Sequence, residues 1–207
     1  MLLTEQYRNF FDLQQNEVEG QDYRIRSREG ATGIAVVAPH GGRIERGTSQ
    51  VVEAVAGQEH SFYCFEGIKS VLSTNKALHI TSNCFDEPGA LALVSRAERV
   101  MTIHGARGNE EAVYLGGLDL DFRAHVTESC RLAGFDAGND PSPTRQGMAS
   151  MNICNRGITG KGLQVELTFG LRKQLFELSA CGTRWNPNNR FWQLVQCFRH
   201  VLGEIVS

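Results

Sequence analysis

The sequence predicts an α/β protein, a single-domain three-layer sandwich in which helices cover both faces of a mixed, largely parallel sheet. One reason is the apolar run at residues 34–38, IAVVA, which passes through a short turn into a helix-like pattern ending at Gly57. A second is that short strand-like segments and longer helix-like segments alternate along the rest of the chain. Such alternation is typical of sheets whose strands are joined by helices. The 207 residues suit one domain, so we take 1–207 as one unit.

The predicted strands are short and apolar. Residues 34–38 resemble a fully buried strand, because both faces of the run are apolar. Further strands are predicted at 61–65, 77–81, 99–105, 111–117 and 162–169. The segment 99–105 ends, like the first strand, in a histidine followed by a glycine.

The predicted helices are placed by their end signals, which are hydroxyl or acidic caps, proline in the first turn, and glycine at the end. They run from Thr48 or Ser49 to Gly57, onward from Pro88, from Asp119 to Gly134, and over 188–206. The last is strongly amphipathic, with an apolar face formed by Phe191, Val195, Phe198, Leu202 and Ile205. A loop rich in Pro, Gly and Ser at 138–150 is the predicted mobile segment.

The composition, 41% hydrophobic and 21% charged, is that of a soluble globular protein. A net charge of -2 gives no general attraction to nucleic acid or to an anionic membrane. No apolar run approaches a membrane span, and the N-terminus is too polar for a secretory signal, so we expect cytoplasmic synthesis and release only by cell lysis. The six cysteines are scattered without a C-x-x-C pair, which predicts free thiols and disfavours a zinc–thiolate site.

Polar residues gather where predicted strands end. His40 and Glu45 follow the first strand, and His104 ends another. In open α/β sheets, ligands bind outside the carboxyl ends of the strands. Two imidazoles and one carboxylate can form a catalytic zinc site that leaves a position for water. Gly41 and Gly42 fit this hypothesis, since aiming both side chains at one point requires unusual backbone angles; alternatively, His40 and Glu45 only cap the following helix in solvent.

Two further residues have open interpretations. His79, in LHITSNCFDEP, is predicted as a hydrogen-bonded core histidine, a substrate contact or a metal ligand. Glu166 lies in an apolar strand, where a buried carboxylate is costly unless it is paired or used in chemistry. It is therefore either a proton-transfer group that does not bind the metal, or half of an ion pair with Arg172 or Arg156.

Several arginines could bind an acidic substrate. Arginine outnumbers lysine 17 to 4, and its planar fork grips carboxylates through two parallel hydrogen bonds, although a codon bias would give the same ratio. Arg156 and Arg172 are candidate carboxylate clamps. Arg43 and Arg107 lie beside the predicted ligands and are further candidates.

Four motifs, PHGGRIERGT, LHITSNCFDEP, TIHG and GKGLQVEL, resemble in order and spacing those of the bacteriophage poly-γ-glutamate hydrolases and their bacterial homologues. The resemblance covers about residues 33–172. It implies a zinc carboxypeptidase-like fold and zinc-dependent cleavage of γ-glutamyl amide bonds. It further implies one zinc ion held by His40, Glu45 and His104, with Glu166 as general base.

The resemblance also gives a substrate role to Asn155 and Arg156, which look like the Asn-Arg pair that holds a substrate carboxylate in carboxypeptidases. The predicted partner is an acidic glutamate polymer. Two alternatives remain: a small γ-glutamyl or acylamino substrate for the same chemistry, and a non-catalytic protein that binds acidic polymers.

Overall fold

The computed structural model describes residues 5–179 and 185–206. The main sheet contains β1 Tyr23–Arg28, β2 Ile34–Gly42, β3 Ser61–Gly67, β4 Arg99–Ala106, β5 Ala112–Gly116, β6 Asp136–Asn139 and β7 Leu163–Thr168. The helices are α1 Phe10–Gln14, α2 Thr48–Ala56, α3 Pro88–Val94, α4 Leu120–Leu132, α5 Phe169–Gln174 and α6 Asn189–Val206. Two short strands, β8 Phe176–Leu178 and β9 Trp185–Pro187, pair separately.

The seven strands lie in the order β1-β3-β2-β4-β7-β5-β6. The central strands β3, β2, β4 and β7 are parallel, whereas β1 and β5 run antiparallel to their central neighbours. This confirms the predicted mixed, largely parallel sheet. Because β2, β4 and β7 run the same way, their carboxyl ends meet at one edge, and that edge carries His40 and His104.

Apolar side chains pack on both faces of the sheet. On one face, Val36, Ile103 and Val165 belong to a core shared with α2, α4 and α6. On the other face, Val37 and Val100 pack with side chains from α1 and α3. Helices therefore flank the sheet on both sides, as predicted.

The strand predicted at 77–81 is wrong. Residues Leu72–Leu78 form a 3-10 helix, and the three residues after it belong to no strand. Asn75 explains the difference, because its buried amide accepts from the Lys69 N–H and donates to the carbonyls of Lys69 and Val71. Local side-chain bonds of this kind stabilise turns at the expense of extended structure.

Strand β1 is not predicted from the sequence, because arginines interrupt its apolar alternation. Tyr23 and Ile25 face the core, while Arg24 and Arg26 pair with Glu66 on the neighbouring β3. Their partner lies some 40 residues away along the chain. The two charges are therefore satisfied by a contact that no local pattern shows.

The loop predicted at 138–150 is tied to the sheet. Strand β6 extends into its start, and Pro143–Arg145 forms a short 3-10 helix. The Asp140 side chain is fully buried and forms two hydrogen bonds with the Arg145 guanidinium. An ion pair with a buried carboxylate thus holds the middle of the segment that the sequence suggests is mobile.

The closing helix and the cysteines follow their predictions within the described residues. Phe191, Val195, Phe198 and Leu202 are buried in the core, while the side chain of Ile205 lies outside the described part. Cys64, Cys84, Cys130, Cys154 and Cys197 are free thiols, and Cys181 lies outside the described residues. None of the described helices combines the length and apolar character that a membrane crossing requires.

Replacing Glu66 with Gln should lower the free energy of unfolding at pH 7 by about 1.5–3 kcal/mol, because a buried carboxylate loses its charge-assisted hydrogen bonds with two arginines. Glu66 is only 3% exposed and its carboxylate lies 2.5 Å from Arg24 Nε and 3.0 Å from Arg26 Nη2. Burial acts to raise its pKa, but hydrogen bonds led by those from Arg26 lower the pKa below the usual 4.5. The stabilisation of the fold by ionised Glu66 is therefore fully present above pH ~4.5 and is lost as the pH falls through the lowered pKa.

Urea denaturation at pH 7 and at pH 3 measures this effect, and the difference between wild type and variant should shrink at pH 3. The matched control is Glu29→Gln, which breaks the exposed pair with Arg96 and should change stability by less than about 1 kcal/mol. Equal effects of the two substitutions at pH 7 would contradict the role assigned to Glu66.

Candidate metal centre

Three of the predicted ligands converge at the carboxyl edge of the sheet. The Nδ1 atoms of His40 and His104 lie 3.2 Å apart. Glu45 places Oε1 3.5 Å from His40 Nδ1 and Oε2 4.0 Å from His104 Nδ1. One ligand atom from each residue lies within 4.8 Å of the others, and no other such group occurs among the described residues. The side chains of His40 and Glu45 are only 2% and 15% exposed, so the alternative that they are solvent-facing helix caps is wrong.

A bulge in β2 turns His40 toward His104. Ala38 faces the layer that contains α2, and strict alternation would point His40 the same way. Between Ala38 and Gly41, however, β2 contains one residue more than the paired part of β3. The alternation shifts by one, and His40 instead lies against Phe85, with ring centroids 6.2 Å apart, on the other face of the sheet. Bulges commonly re-aim side chains in this way beside functional sites.

The turn after β2 brings Glu45 back to His40. The Glu45 N–H donates to the His40 carbonyl at 3.0 Å, and Gly42 adopts a φ of +64°, which favours glycine. Thr48 and Ser49 do not cap α2, whose N-cap is Gly47. The predicted capping is wrong because both hydroxyls support the turn instead.

The Thr48 hydroxyl donates to the Glu45 carbonyl at 2.8 Å, and the Ser49 hydroxyl accepts from the Gly42 N–H at 3.0 Å. The Glu45 side chain is fixed at its other end as well, since its Oε2 accepts from the Gly105 N–H at 2.8 Å. Glu45 therefore links the end of β2 to the end of the adjacent strand β4.

The donor set suits a divalent cation such as zinc. His40 Nε2 lies 2.7 Å from the Ile80 carbonyl, so Nε2 carries the proton and the Nδ1 lone pair faces the cluster. His104 Nε2 is buried without a hydrogen-bond partner, and its Nδ1 faces His40. Two nitrogens bound to one tetrahedral zinc at 2.0–2.1 Å would lie about 3.3 Å apart. The observed 3.2 Å fits that arrangement.

The local charges favour the forms of these residues that bind metals. Burial acts to raise the pKa of Glu45, but the adjacent imidazole of His40, followed by those of His104 and His79, lowers it to about 2. Burial and the adjacent imidazole of His40 lower the pKa of His104 to about 3. An ionised carboxylate and a neutral imidazole are the ligand forms that a metal ion requires.

Glu166 lies next to this cluster on β7. It is the register partner of His104, so the two side chains project from adjacent strands about 4.8 Å apart. Glu166 is 6% exposed, and its Oε1 accepts from the Gln164 amide at 3.2 Å. Burial, followed by the negative charge of Glu45, raises the pKa of Glu166 well above the usual 4.5. A carboxyl group with a raised pKa is suited to taking up a proton.

His79 contacts the same cluster from the segment after the 3-10 helix. Its ring stacks on that of His40 with centroids 3.9 Å apart, and its Nε2 lies 3.8 Å from Glu45 Oε1. Its Nδ1 lies 3.1 Å from Glu5 Oε1. His79 is 36% exposed, so it is reachable from solvent. Arg107 is exposed just past the end of β4, and its charge acts to lower the pKa of His79.

Arg172 is close to the cluster, but its guanidinium is already used. It is 5% exposed and donates to the backbone carbonyls of Arg46, Ala106 and Leu167 at 2.8 to 3.1 Å. These bonds fasten the end of β4 to the turn that carries Glu45. We therefore assign Arg172 to holding the site together, and the structure does not support the predicted substrate clamp.

Asn155 and Arg156 lie at the other edge of the sheet. The buried Asn155 amide makes four hydrogen bonds, with backbone groups of residues 118, 147, 149 and 162. Residue 162 directly precedes β7, so this point is near the amino end of that strand, whereas Glu166 and His104 lie toward the carboxyl end. The structure does not bring the Asn-Arg pair to the metal ligands, and Asn155 has no free hydrogen-bonding group to offer a substrate.

Glu5 is a member of the site that sequence reasoning missed. It lies 74 residues before His79 in a polar N-terminal stretch with no recognisable motif. Burial acts to raise its pKa, but hydrogen bonds from His79 and the Thr81 backbone lower it below the usual 4.5. The N-terminal segment thereby fixes the orientation of the His79 ring.

Replacing Gly105 with Ala should weaken zinc binding about 10- to 100-fold, the range seen when groups that orient metal ligands are lost. A Cβ at this position would meet Arg172 Cζ at 2.6 Å and Glu45 Cβ at 2.9 Å, so Glu45 must move. Competition with a chromogenic chelator measures the dissociation constant. Gly203→Ala on α6 is the control, because its Cβ would meet nothing within 4 Å; equal affinities in the two variants would contradict this account.

The fold and the site together define an α/β protein with a His-Glu-His cluster that could hold a metal ion at the carboxyl edge of a largely parallel sheet. A family model described as poly-gamma-glutamate hydrolase matches residues 7–197. The chain belongs to the poly-gamma-glutamate hydrolase family.

Relatives from Bacillus subtilis strain 168 support this assignment. The protein YndL is 37% identical over 193 residues, covering 92% of this chain and 75% of YndL. The SPbeta prophage-derived protein YoqZ is 31% identical over 208 residues, covering 100% of this chain and 74% of YoqZ.

Two solved structures are similar over nearly the whole chain. A bacteriophage poly-gamma-glutamate hydrolase superposes with a TM-score of 0.91 at 26% identity, covering 98% of each chain. YndL, in an apo form described as zinc-free, gives a TM-score of 0.89 at 36% identity, covering 97% of this chain and 98% of that one.

Proposed function

We propose that this protein is a zinc-dependent hydrolase that cleaves the γ-glutamyl amide bonds of poly-γ-glutamate. The observation that carries the proposal is the convergence of His40, Glu45 and His104 beside the buried carboxyl group of Glu166. Membership of the poly-gamma-glutamate hydrolase family supports the substrate, and the description of the YndL structure as zinc-free supports the metal.

His40 and His104 would hold one zinc ion through Nδ1, and Glu45 through its carboxylate. When bound, zinc supplies a Lewis acid that polarises the amide carbonyl and lowers the pKa of a water molecule toward about 7. With three protein ligands, such a site would leave the fourth position that catalytic zinc sites keep for water or substrate. The Gly105 amide and the Ile80 carbonyl keep the ligands oriented.

Glu166 would act as the proton carrier of the reaction. It accepts a proton from the attacking water as the water oxygen bonds to the amide carbon. It then delivers that proton to the nitrogen of the departing amine as the carbon–nitrogen bond breaks. The products are a γ-carboxylate and an α-ammonium group, because the second proton of the water also ends on the departing nitrogen, so atoms and charge balance with water as the only co-reactant.

Arg107 and His79 are the candidate substrate contacts on the β4 side of the centre. Every residue of a γ-linked glutamate chain keeps a free α-carboxylate, so the substrate is a polyanion. The protein's net charge is only -2, and attraction must therefore come from local cations. We expect binding to weaken as ionic strength rises, because exposed charges are screened.

Incubation of the zinc-loaded protein with poly-γ-glutamate, followed by size-exclusion chromatography and an assay for new amines, tests the proposal. Poly-α-glutamate and a γ-glutamyl dipeptide serve as comparison substrates. We expect the γ-linked polymer to shorten, poly-α-glutamate to stay intact, and a chelator to stop the reaction.

Three results would overturn the proposal in different ways. Cleavage of the dipeptide but not of the polymer would assign a small substrate. Tight binding of the polymer without new amines would indicate a binding protein. A folded preparation that takes up no zinc would remove the metal from the mechanism.

A further inference from the structure

The Asp140–Arg145 ion pair lies on the same face of the sheet as Glu166. Arg145 Nε and Nη2 lie 2.9 and 3.0 Å from the two carboxylate oxygens of Asp140. The Asp140 side chain is 0% exposed, whereas that of Arg145 is 33% exposed. The Ser142 N–H also donates to Asp140 at 2.7 Å. The buried partner is thus fixed, and it holds the orientation of a guanidinium that solvent can reach.

Gln164 connects this pair to Glu166. Its side-chain amide donates to the Arg145 carbonyl at 2.7 Å and to Glu166 Oε1 at 3.2 Å. The Asn152 side-chain amide donates to Gln164 Oε1 at 2.9 Å, which fixes the Gln164 side chain. Burial raises the pKa of Glu166, and the charge of Arg145 acts against that rise, which agrees with their proximity.

One N–H edge of the Arg145 guanidinium remains available to bind another carboxylate. Arginine offers five N–H donors, and Asp140 occupies the edge formed by Nε and Nη2. Among the described residues, no hydrogen bond uses Nη1 of Arg145. The end formed by Nη1 and Nη2 therefore stays available, and this end matches the two oxygens of a carboxylate.

We propose that Arg145 binds an α-carboxylate of the γ-linked substrate next to the bond that is cut, and that Asp140 is its positioning residue. This inference rests on the proposed function. Arg107 follows β4, and Arg145 contacts Gln164 of the neighbouring strand β7. Glutamate residues on both sides of the cleaved amide carry α-carboxylates, so two separate cations can bind two of these carboxylates.

A purely structural role for the pair is the competing explanation, and the chain offers a matched control. Arg99 pairs with Asp119 at 3.2 Å, with 37% and 4% exposure of the two side chains, close to the values of the Arg145 pair. Arg99 begins β4 and therefore lies at the opposite edge of the sheet from the metal ligands. Arg99→Gln and Arg145→Gln should disturb folding to a similar extent, so only substrate binding separates them.

The experiment compares wild type, Arg145→Gln and Arg99→Gln on a γ-glutamyl oligomer and on the same oligomer with its α-carboxylates converted to amides. Arg145→Gln should raise KM for the acid form about 10- to 100-fold, as expected for loss of a hydrogen bond between charged groups. It should leave KM for the amide form unchanged. Arg99→Gln should match wild type on both substrates.

Further variants test the positioning role. Asp140→Asn should raise KM for the acid form alone, and by less than Arg145→Gln, because the cation remains but is no longer fixed. Arg145→Lys should recover part of the loss, since lysine keeps the charge without the fork. The double variant Asp140→Asn/Arg145→Gln avoids leaving an unpaired buried carboxylate, and it should retain the Arg145→Gln phenotype.

Calorimetric binding of the acid oligomer separates failure of this inference from failure of the proposed function. If wild type cleaves the γ-linked oligomer but Arg145→Gln binds and cleaves it equally well, the inference is overturned. Equal losses on the acid and amide forms would also overturn it, because they indicate a structural role. If wild type cleaves no substrate, the proposed function fails. The role of Arg145 is still tested in that case: weaker binding of the acid oligomer by Arg145→Gln than by wild type supports it, and equal binding overturns it.

Discussion

Replacing Glu166 with Gln is expected to lower kcat by about 10²- to 10⁴-fold, the contribution typical of a positioned proton-transfer group. The glutamine side chain has nearly the same shape, so the packing around this buried position is preserved. It cannot accept a proton from the attacking water, and the raised pKa that suits Glu166 to that task is lost. The zinc content should stay at one ion per chain, because Glu166 is not among the three ligands.

Turnover on poly-γ-glutamate and zinc content by elemental analysis measure the two parts of this prediction. Glu87→Gln is the matched control, because Glu87 is also 6% exposed and caps α3 by accepting from the Ala90 N–H. That variant should lose some stability and keep its activity. Loss of zinc from the Glu166 variant would make Glu166 a ligand, and full activity would exclude it as the proton carrier.

Replacing His104 with Ala is expected to abolish stoichiometric zinc binding, and with it the hydrolysis of the polymer. Two ligands would remain, and the Nδ1 of His40 would face a void. In wild type, zinc at a thousandfold excess over its dissociation constant should stabilise the fold by about 4 kcal/mol. For a chain of this size, that corresponds to a rise in Tm of about 8–16 °C. The variant should show no such rise.

Differential scanning calorimetry with and without zinc checks this expectation. His125→Ala is the control, since His125 is exposed on α4 with its Nδ1 2.8 Å from the Asp121 carbonyl. It should keep both the zinc and the shift in Tm. A zinc-dependent shift of normal size in the His104 variant would show that the metal binds elsewhere.

The sequence predicts the candidate metal ligands because their signal is topological. His40 and His104 each end a strand of a largely parallel sheet, and parallel strands bring their carboxyl ends to one edge. Glu166 is recognisable for a different reason, since a carboxylate within an apolar strand is costly without a use or a partner. The first signal needs the predicted strand ends and the parallel arrangement of the strands, and the second needs only the local pattern.

The substrate contacts are harder to predict because the partners of Arg and Asn side chains are not visible in a sequence. Arg172 and Asn155 resemble substrate-binding residues, yet Arg172 donates to the Arg46 carbonyl and Asn155 accepts from the Leu118 N–H, 126 and 37 residues away along the chain. Arg145 lies in a Pro, Gly and Ser-rich loop that suggests mobility, and only the buried Asp140 reveals its fixed position. Long-range hydrogen bonding decides which polar residues remain available.

The extra residue in β2 decides which face of the sheet the His40 side chain occupies, because side chains alternate between the two faces along a strand. Deleting Pro39 would restore strict alternation and rotate the His40 imidazole through the sheet toward α2, although every ligand would still be encoded. Two chains with identical ligands could therefore differ entirely in metal binding through one backbone position. For related sequences, the length of the segment between the IAVVA run and the histidine is as informative as the histidine itself.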